Sequence, residues 1–286
     1  MKLALGTAQF GLKYGISNIS GRVPLKEVSD IVSYSREVGI NYIDTASLYG
    51  CSEEVLGGIN TSSFNIVTKF PAMPLCDTLP SDFIQDSLTS SLAKLRQESI
   101  YGALLHRPMQ LLESYGPQLY SELVRQKRLG FIKNIGISIY SPAELDLLTK
   151  FDFDLVQTPM NILDKRLASS HWLTKLKEKG IEVHVRSCFL QGLLLMPKRS
   201  RPNYFTRWSP LFDVYDNWLA EEGISPIQAC LGFLKSFPEI DKIVVGVESL
   251  SQLKQLISAY KGETINIPAE LNSNDIDLIE PSRWKL

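Results

Sequence analysis

At 286 residues the chain is long enough to bury a sizeable core, as one α/β barrel or two smaller domains. A net charge of −1 with 21 % charged residues leaves no basic footprint for DNA, RNA or an anionic membrane, and no apolar run reaches the length of a membrane span. The chain enters a strand-like run at Leu3 without the apolar stretch and cleavage site of a secretory leader, so a cytoplasmic protein is expected.

The first strand-like run, Leu3–Thr7, ends in Gly6 and Thr7, and a helical pattern over Leu25–Val38 follows. The second run, Tyr42–Thr45, carries Asp44 at its end, with Tyr49 on the turn beyond it and a short helical pattern over Glu53–Gly58. The third, Ile66–Phe70, ends beside Lys69, and the helical pattern Ser81–Leu95 starts with Ser81 as its expected cap. The fourth, Tyr101–His106, ends in an imidazole and leads to a helix over Pro117–Arg128. Four further runs, Ile135–Ser138, Leu155–Thr158, Glu182–Ser187 and Lys242–Val247, complete the series. Helical patterns over Pro142–Leu148, Leu163–Lys179, Ile224–Phe237 and Leu250–Tyr260 accompany them, and Gly39, Gly130 and Gly180 stand where helices should end.

Eight strands alternating with helices and no break in composition predict an α/β fold, a single (β/α)8 TIM barrel over residues 1–286. A doubly wound sheet would place a glycine-rich phosphate turn after its first strand, and no G-x-G-x-x-G is present. The longest irregular segment, residues 192–221, carries Lys198, Arg199, Arg201 and Arg207 with Tyr204, Phe205, Trp208, Phe212 and Trp218, which suits an ordered loop facing an anionic ligand.

Barrel sites lie at the carboxyl ends of the strands, where Asp44, Lys69 and His106 are predicted. A free tyrosine is a poor acid at neutral pH; an ammonium beside it favours phenolate, and a carboxylate holds the ammonium in place. Tyr49 with Lys69 and Asp44 would form such a group, and a neutral His106 would orient a carbonyl oxygen. Taken singly, Asp44 reads as a helix cap, Tyr49 as packing, Lys69 as a solvated charge and His106 as a core imidazole; together, at consecutive strand ends, they point to proton transfer. Cys51, Cys76, Cys188 and Cys230 are widely spaced and read as free thiols, and the histidines share no ligand spacing with them, so no metal site is expected.

Over nearly its whole length the sequence resembles the aldo-keto reductase superfamily. Leu5-Gly6-Thr7-Ala8-Gln9-Phe10-Gly11 is similar to that family's first strand and turn, Asp44-Thr45-Ala46-x-x-Tyr49-Gly50 to its most specific motif, Thr68-Lys69 to its lysine motif and Leu105-His106-Arg107-Pro108 to its histidine motif. The resemblance implies Tyr49 as general acid/base tuned by Lys69 and Asp44, His106 orienting substrate, and hydride transfer from NADPH, with NADH possible, to an aldehyde or ketone. It further implies cofactor contacts from Gly6, Thr7, Asp44, Ser138, Gln157, Arg186, Ser187, Gln191, Gly246, Ser249, Gln252 and Gln255. Ile139 replaces a usual asparagine, Arg186 stands where an aromatic stacks on the nicotinamide, and Gln252 replaces an arginine that often meets the 2′-phosphate. No N-terminal β-hairpin plug is expected, because the first strand starts at the N-terminus.

The expected partner is a small-molecule carbonyl substrate, polar and sugar-like, for a monomer or small homo-oligomer. Two rivals remain: a non-catalytic, cofactor-binding regulatory or scaffold barrel, and an aldolase using Lys69 as a Schiff base. An intact tyrosine–lysine pair argues against the first, and the second does not explain Tyr49.

Overall fold

The computed structural model describes residues 1–74 and 78–286. Eight strands, β1 (Leu3–Gly6), β2 (Tyr42–Asp44), β3 (Asn65–Phe70), β4 (Ile100–Leu105), β5 (Ile132–Ser138), β6 (Leu155–Pro159), β7 (Glu182–Arg186) and β8 (Lys242–Gly246), pair in parallel with their sequence neighbours. The ring closes where Leu3–Gly6 registers with Ile243–Gly246. Closure leaves no unpaired sheet edge, and parallel neighbours require a crossover, which the helices supply.

Those helices are α1 (Ala8–Gly11), α2 (Leu25–Glu37), α3 (Ser52–Gly57), α4 (Pro80–Leu95), α5 (Gly116–Arg128), α6 (Ala143–Leu147), α7 (Arg166–Ser169), α8 (Trp172–Glu178), α9 (Ser209–Glu222), α10 (Pro226–Lys235), α11 (Leu250–Tyr260) and α12 (Ile276–Ile279). Helix α2 shows why they pack: Val28, Ile31 and Val32 recur on one stripe and are buried in the same cluster as the strand residues Leu3, Leu5 and Ile43. Truncating Ile31 to alanine there would cost about 2–5 kcal/mol. Gly39, Gly130 and Gly180 follow α2, α5 and α8 with φ of 80°, 86° and 70°, a region open to glycine after a helix.

Three expectations need correction. Helix α4 is capped by Leu79 rather than Ser81, because Pro80, with its fixed φ, starts the helix one residue earlier. The pattern over Leu163–Lys179 is two helices, interrupted where His171 adopts φ 61°. The segment 192–221 is not one irregular loop: short 3₁₀ turns lead into α9, whose Phe212, Tyr215, Trp218 and Leu219 are buried. Proline at position 210, in the first turn, and the aromatic residues had obscured a readable helical period.

Three of the four cations of that segment pair with the protein's own acids. Lys198 pairs with Asp213, Arg201 with Asp216, and Arg207 with Asp275 and Asp277. Phe205 meets Trp284 at 4.9 Å, and the Trp208 indole donates to Asp275 at 3.0 Å, so the segment packs on the C-terminal residues. The expectation of an anion-facing loop therefore fails, because three of its four cations are neutralised within the fold.

Among the described residues no strand precedes β1. The amino-terminal mouth of the barrel is filled by side chains instead: Tyr42 packs on Tyr101 at 5.0 Å, and Tyr101 Oη donates to Glu182 at 2.7 Å. His184 Nε2 lies 2.9 Å from the same carboxylate. Cys51, Cys188 and Cys230 are free thiols, whereas Cys76 lies outside the described residues. No helix among the described residues is long and apolar enough to cross a membrane.

Candidate active site

Ala4, Tyr42, Val67, Leu104, Leu155 and Val244 form an apolar layer separate from the larger core between strands and helices. Side chains alternate across a strand, so the residue two positions on faces the same way. From that layer, two steps toward the carboxyl ends reach Gly6, Asp44, Lys69, His106, Gln157 and Gly246. Ser138 and Arg186 close the matching ends of β5 and β7. One expected residue thus stands at the inner carboxyl end of each strand, with His106 just past β4.

Lys69 Nζ is fully buried and donates to Asp44 Oδ1 and Oδ2 at 2.8 and 2.7 Å and to the Thr45 carbonyl at 2.8 Å. It also reaches the Tyr49 hydroxyl at 3.4 Å. The His106 ring stands edge-on to Tyr49, with centroids 6.2 Å apart. The four residues expected to act together are adjacent.

The turn that presents Tyr49 depends on two glycines. A Cβ on Gly11 would lie 1.7 Å from the Tyr49 carbonyl oxygen, and one on Gly50, at φ 57°, would lie 2.5 Å from the Gly11 carbonyl oxygen. Backbone packs on backbone there, which side chains would forbid. Ser47 Oγ donates to the Lys69 carbonyl at 3.0 Å, fastening the turn to β3.

Electrostatics alter one expectation. Burial raises the Tyr49 pKa above its usual value, Asp44 raises it further, and Arg186 is the cation that opposes them. Burial also lowers the Lys69 pKa, against the attraction and hydrogen bonds of Asp44. Because Asp44 matches the ammonium at close range, the pair offers Tyr49 little net charge, and the phenol stays protonated at neutral pH. His106 is lowered to about 3, first by burial and then by Lys69, Arg186 and Arg107, so its imidazole is neutral.

Asp44, Tyr49, His106 and Arg186 open onto a cleft of about 530 Å³, with Lys69 buried behind them. Gly6, Thr7, Asp44, Arg186, Ser187, Gln191, Gly246, Gln252 and Gln255 line it; Ser138, Gln157 and Ser249 do not, the first two being buried at strand ends. Ser138 and Gln157 are register partners across β5 and β6, and Ser138 Oγ and Gln157 Oε1 are buried with no hydrogen-bond partner. A hydroxyl donor beside an amide acceptor fits the carboxamide of a nicotinamide. Ser249 caps α11 by accepting from Gln252 N at 3.2 Å, and Gln252 Oε1 accepts from Glu248 N at 2.7 Å. Thr7 Oγ1 donates to the Asp44 carbonyl at 2.9 Å, bracing that carboxylate's backbone.

One wall comes from the turn after β7, where Ser187, Leu190 and Gln191 hold φ of 58°, 48° and 53°. Such non-glycine conformations cost roughly 1–3 kcal/mol each and persist only where surroundings enforce them. Asn161 Nδ2 grips the Ser187 carbonyl at 3.1 Å, and Ile16 N donates to the Gln191 carbonyl at 3.1 Å. Tyr14 and Tyr140, which sequence reasoning missed, also line the cleft. Each follows a strand-end motif by a few residues, but no period marks it.

Residues 2–270 match the family described as Aldo/keto reductase family. The chain belongs to the aldo/keto reductase family. This reductase is 25 % identical over 282 residues to the uncharacterized oxidoreductase YqkF of Bacillus subtilis (strain 168), across 90 % of each chain. A stretch of 120 residues, 40 % of this chain and 43 % of the other, is 32 % identical to methylglyoxal reductase DkgB of Yersinia pestis. Among solved structures, the apo form of aldo-keto reductase AKR11C1 from Bacillus halodurans is similar at a TM-score of 0.73 and 21 % identity, over 94 % of this chain and 88 % of that one. A putative aldo-keto reductase from Pseudomonas aeruginosa gives 0.67 at 22 % identity, over 91 % and 89 %. Those likenesses speak for the (β/α)8 fold, whereas family membership makes the protein an enzyme of carbonyl reduction in a family that generally uses NAD(P)H.

Proposed function

We propose that the protein reduces an aldehyde or ketone to the alcohol, with Tyr49 as proton donor and Lys69, Asp44 and His106 in support. The observation that carries this reading is the Lys69 ammonium, 2.7 Å from Asp44 and 3.4 Å from the Tyr49 hydroxyl, at the cleft. When bound, reduced nicotinamide supplies the hydride to the carbonyl carbon. Ser138 Oγ and Gln157 Oε1 are the groups suited to hold its carboxamide, while Gly6, Thr7, Ser187, Gln191, Gly246, Ser249, Gln252 and Gln255 are read as cofactor contacts.

As negative charge develops on the carbonyl oxygen, Tyr49 gives up its hydroxyl proton to it. A phenol kept neutral by burial is in the right state to donate. Lys69 then faces a forming phenolate, and its ammonium stabilises that charge at the moment it appears. Asp44 keeps the ammonium in place, and the neutral imidazole of His106 is the group suited to position the carbonyl oxygen. Lys69 serves poorly as a Schiff-base nucleophile, because it is fully buried and bonded to four acceptors.

We read NADPH as the preferred cofactor on the family resemblance, with NADH also accepted because neither Gln252 nor Glu248 offers the 2′-phosphate a cation. The test is loss of reduced-nicotinamide absorbance with a panel of aldehydes and ketones, for the wild type and Tyr49→Phe. Turnover retained at more than half in Tyr49→Phe, with chemistry rate-limiting, sinks the assignment.

A further inference from the structure

Three charged side chains line the cleft, Asp44, Arg186 and Glu248. Asp44 is matched by Lys69 at 2.7 Å. Arg186 is not matched: among the described residues it enters no ion pair, although it is half-buried at the end of β7. Its Nη2 donates to the Ile139 carbonyl at 3.0 Å and its Nη1 to Ser187 Oγ at 3.4 Å. The guanidinium lies 4.7 Å from the Tyr140 ring centroid. These contacts draw it aside onto the β5 end and leave further N–H donors unused.

Arg107, directly after His106, brings a second guanidinium to within 5.4 Å of the same ring. It too enters no ion pair among the described residues. Tyr140 therefore gathers two unmatched guanidiniums beside the cleft that holds Tyr49 and His106. Arg186 also lowers the pKa of both Tyr49 and His106, as a cation close to them must. Holding an unmatched, half-buried charge is unfavourable, and guanidinium is the side chain whose planar donors fit carboxylate and phosphate oxygens in pairs.

Building on the carbonyl-reductase reading, we infer that Arg186, supported by Arg107 around Tyr140, seats an anionic oxygen group of the substrate. The reaction then runs on carbonyl compounds that carry a carboxylate or a phosphate, with the anion at Arg186 and the carbonyl oxygen at Tyr49. Atoms balance as in any carbonyl reduction: hydride adds to carbon, the Tyr49 proton adds to oxygen, and the anion is unchanged.

The test compares kcat/KM with NADPH for two matched pairs, succinate semialdehyde against butanal and glyceraldehyde phosphate against glyceraldehyde. We expect at least one anionic member to exceed its neutral counterpart by about tenfold or more, the size of a charge-assisted pair worth ~1.5 kcal/mol. Whichever pair shows the preference distinguishes carboxylate from phosphate. That ratio should collapse toward one in Arg186→Gln, be partly retained in Arg186→Lys, and fall by a smaller factor in Arg107→Gln. A ratio near one for both pairs in the wild type, or a ratio unmoved in Arg186→Gln while its NADPH affinity falls, overturns the inference. Should Arg186→Gln fail to fold, Arg107→Gln, altered at an exposed position, decides by the same ratio. If none of the four aldehydes is reduced, the reductase reading fails only when no member of the aldehyde and ketone panel is reduced either. The anion seat is then decided by calorimetry with succinate and glycerol phosphate on the NADP⁺-loaded protein: binding lost in Arg107→Gln or Arg186→Gln upholds it, and no binding to the wild type sinks it.

Discussion

Gln157 Nε2 donates to Asp44 Oδ1 at 2.6 Å, joining β6 to β2 across the barrel, while Gln157 Oε1 stays buried without a partner. One end of the amide thus fixes the carboxylate that holds Lys69, and the other has no partner within the fold. Replacing Gln157 with leucine should raise the NADPH dissociation constant about fivefold, the worth of one neutral hydrogen bond near 1 kcal/mol. Fluorescence titration reads this; an unchanged constant would remove Gln157 from the cofactor site.

Tyr49→Phe keeps the ring and deletes the proton donor. It should lower kcat by roughly 10²–10⁴, the usual worth of a placed general acid, with NADPH affinity within a few-fold of wild type. Single-turnover measurement of hydride transfer separates this from slow product release.

Lys69→Met strands Asp44, which is 4 % exposed and loses its countercharge. Breaking a buried pair in this way costs about 3–5 kcal/mol. The double variant Lys69→Met with Asp44→Leu should recover much of that stability in urea unfolding, yet remain inactive. Equal stability of wild type and Lys69→Met would mean that the pair is not buried as described.

His106 is lowered from an ordinary 6.5 to about 3, so between those values the unfolded chain binds a proton that the folded protein refuses. Folded stability attributable to His106 is intact above pH 6.5 and declines as the pH falls toward 3. His106→Gln should lose less stability between neutral and acid pH than wild type, measured by urea midpoints. The rate of reduction should likewise show no His106 limb near pH 6.5.

Glu248 lines the cleft near Gln252, whose side chain is tied to the Glu248 backbone at 2.7 Å. A carboxylate there suits a ribose hydroxyl better than a phosphate. The preference for NADPH over NADH should therefore stay within about tenfold, and Gln252→Arg should enlarge it by supplying a planar donor fork. Competing kcat/KM values for the two cofactors measure it. A preference for NADH of tenfold or more would reverse our reading of NADPH.

Much of the fold was legible because its causes are local. Apolar runs such as Asn65–Phe70 and Leu155–Pro159 read as strands, and the stripe Val28, Ile31, Val32 reads as a helix face. Period-two alternation also brought Asp44, Lys69 and His106 to strand ends, since each stands two residues beyond an inward apolar residue. Where local cues competed, as with Pro80 against Ser81 or Pro210 inside an aromatic segment, the reading failed at the boundary or missed the helix.

Other features depend on which chains of atoms closure brings together. No spacing in the sequence tells that Lys198, Arg201 and Arg207 are matched by Asp213, Asp216, Asp275 and Asp277 while Arg186 is matched by none. A charge in a sequence has no partner until distance assigns one. The pKa of Tyr49 followed the same logic: Lys69 alone would lower it, but burial and Asp44 at close range raise it. Sequence thus determined which residue types stand at the ends of the strands, through side-chain period. Tertiary structure decided their charge states and their unmet bonds, because desolvation and Coulomb interactions depend on distances that only the closed barrel sets.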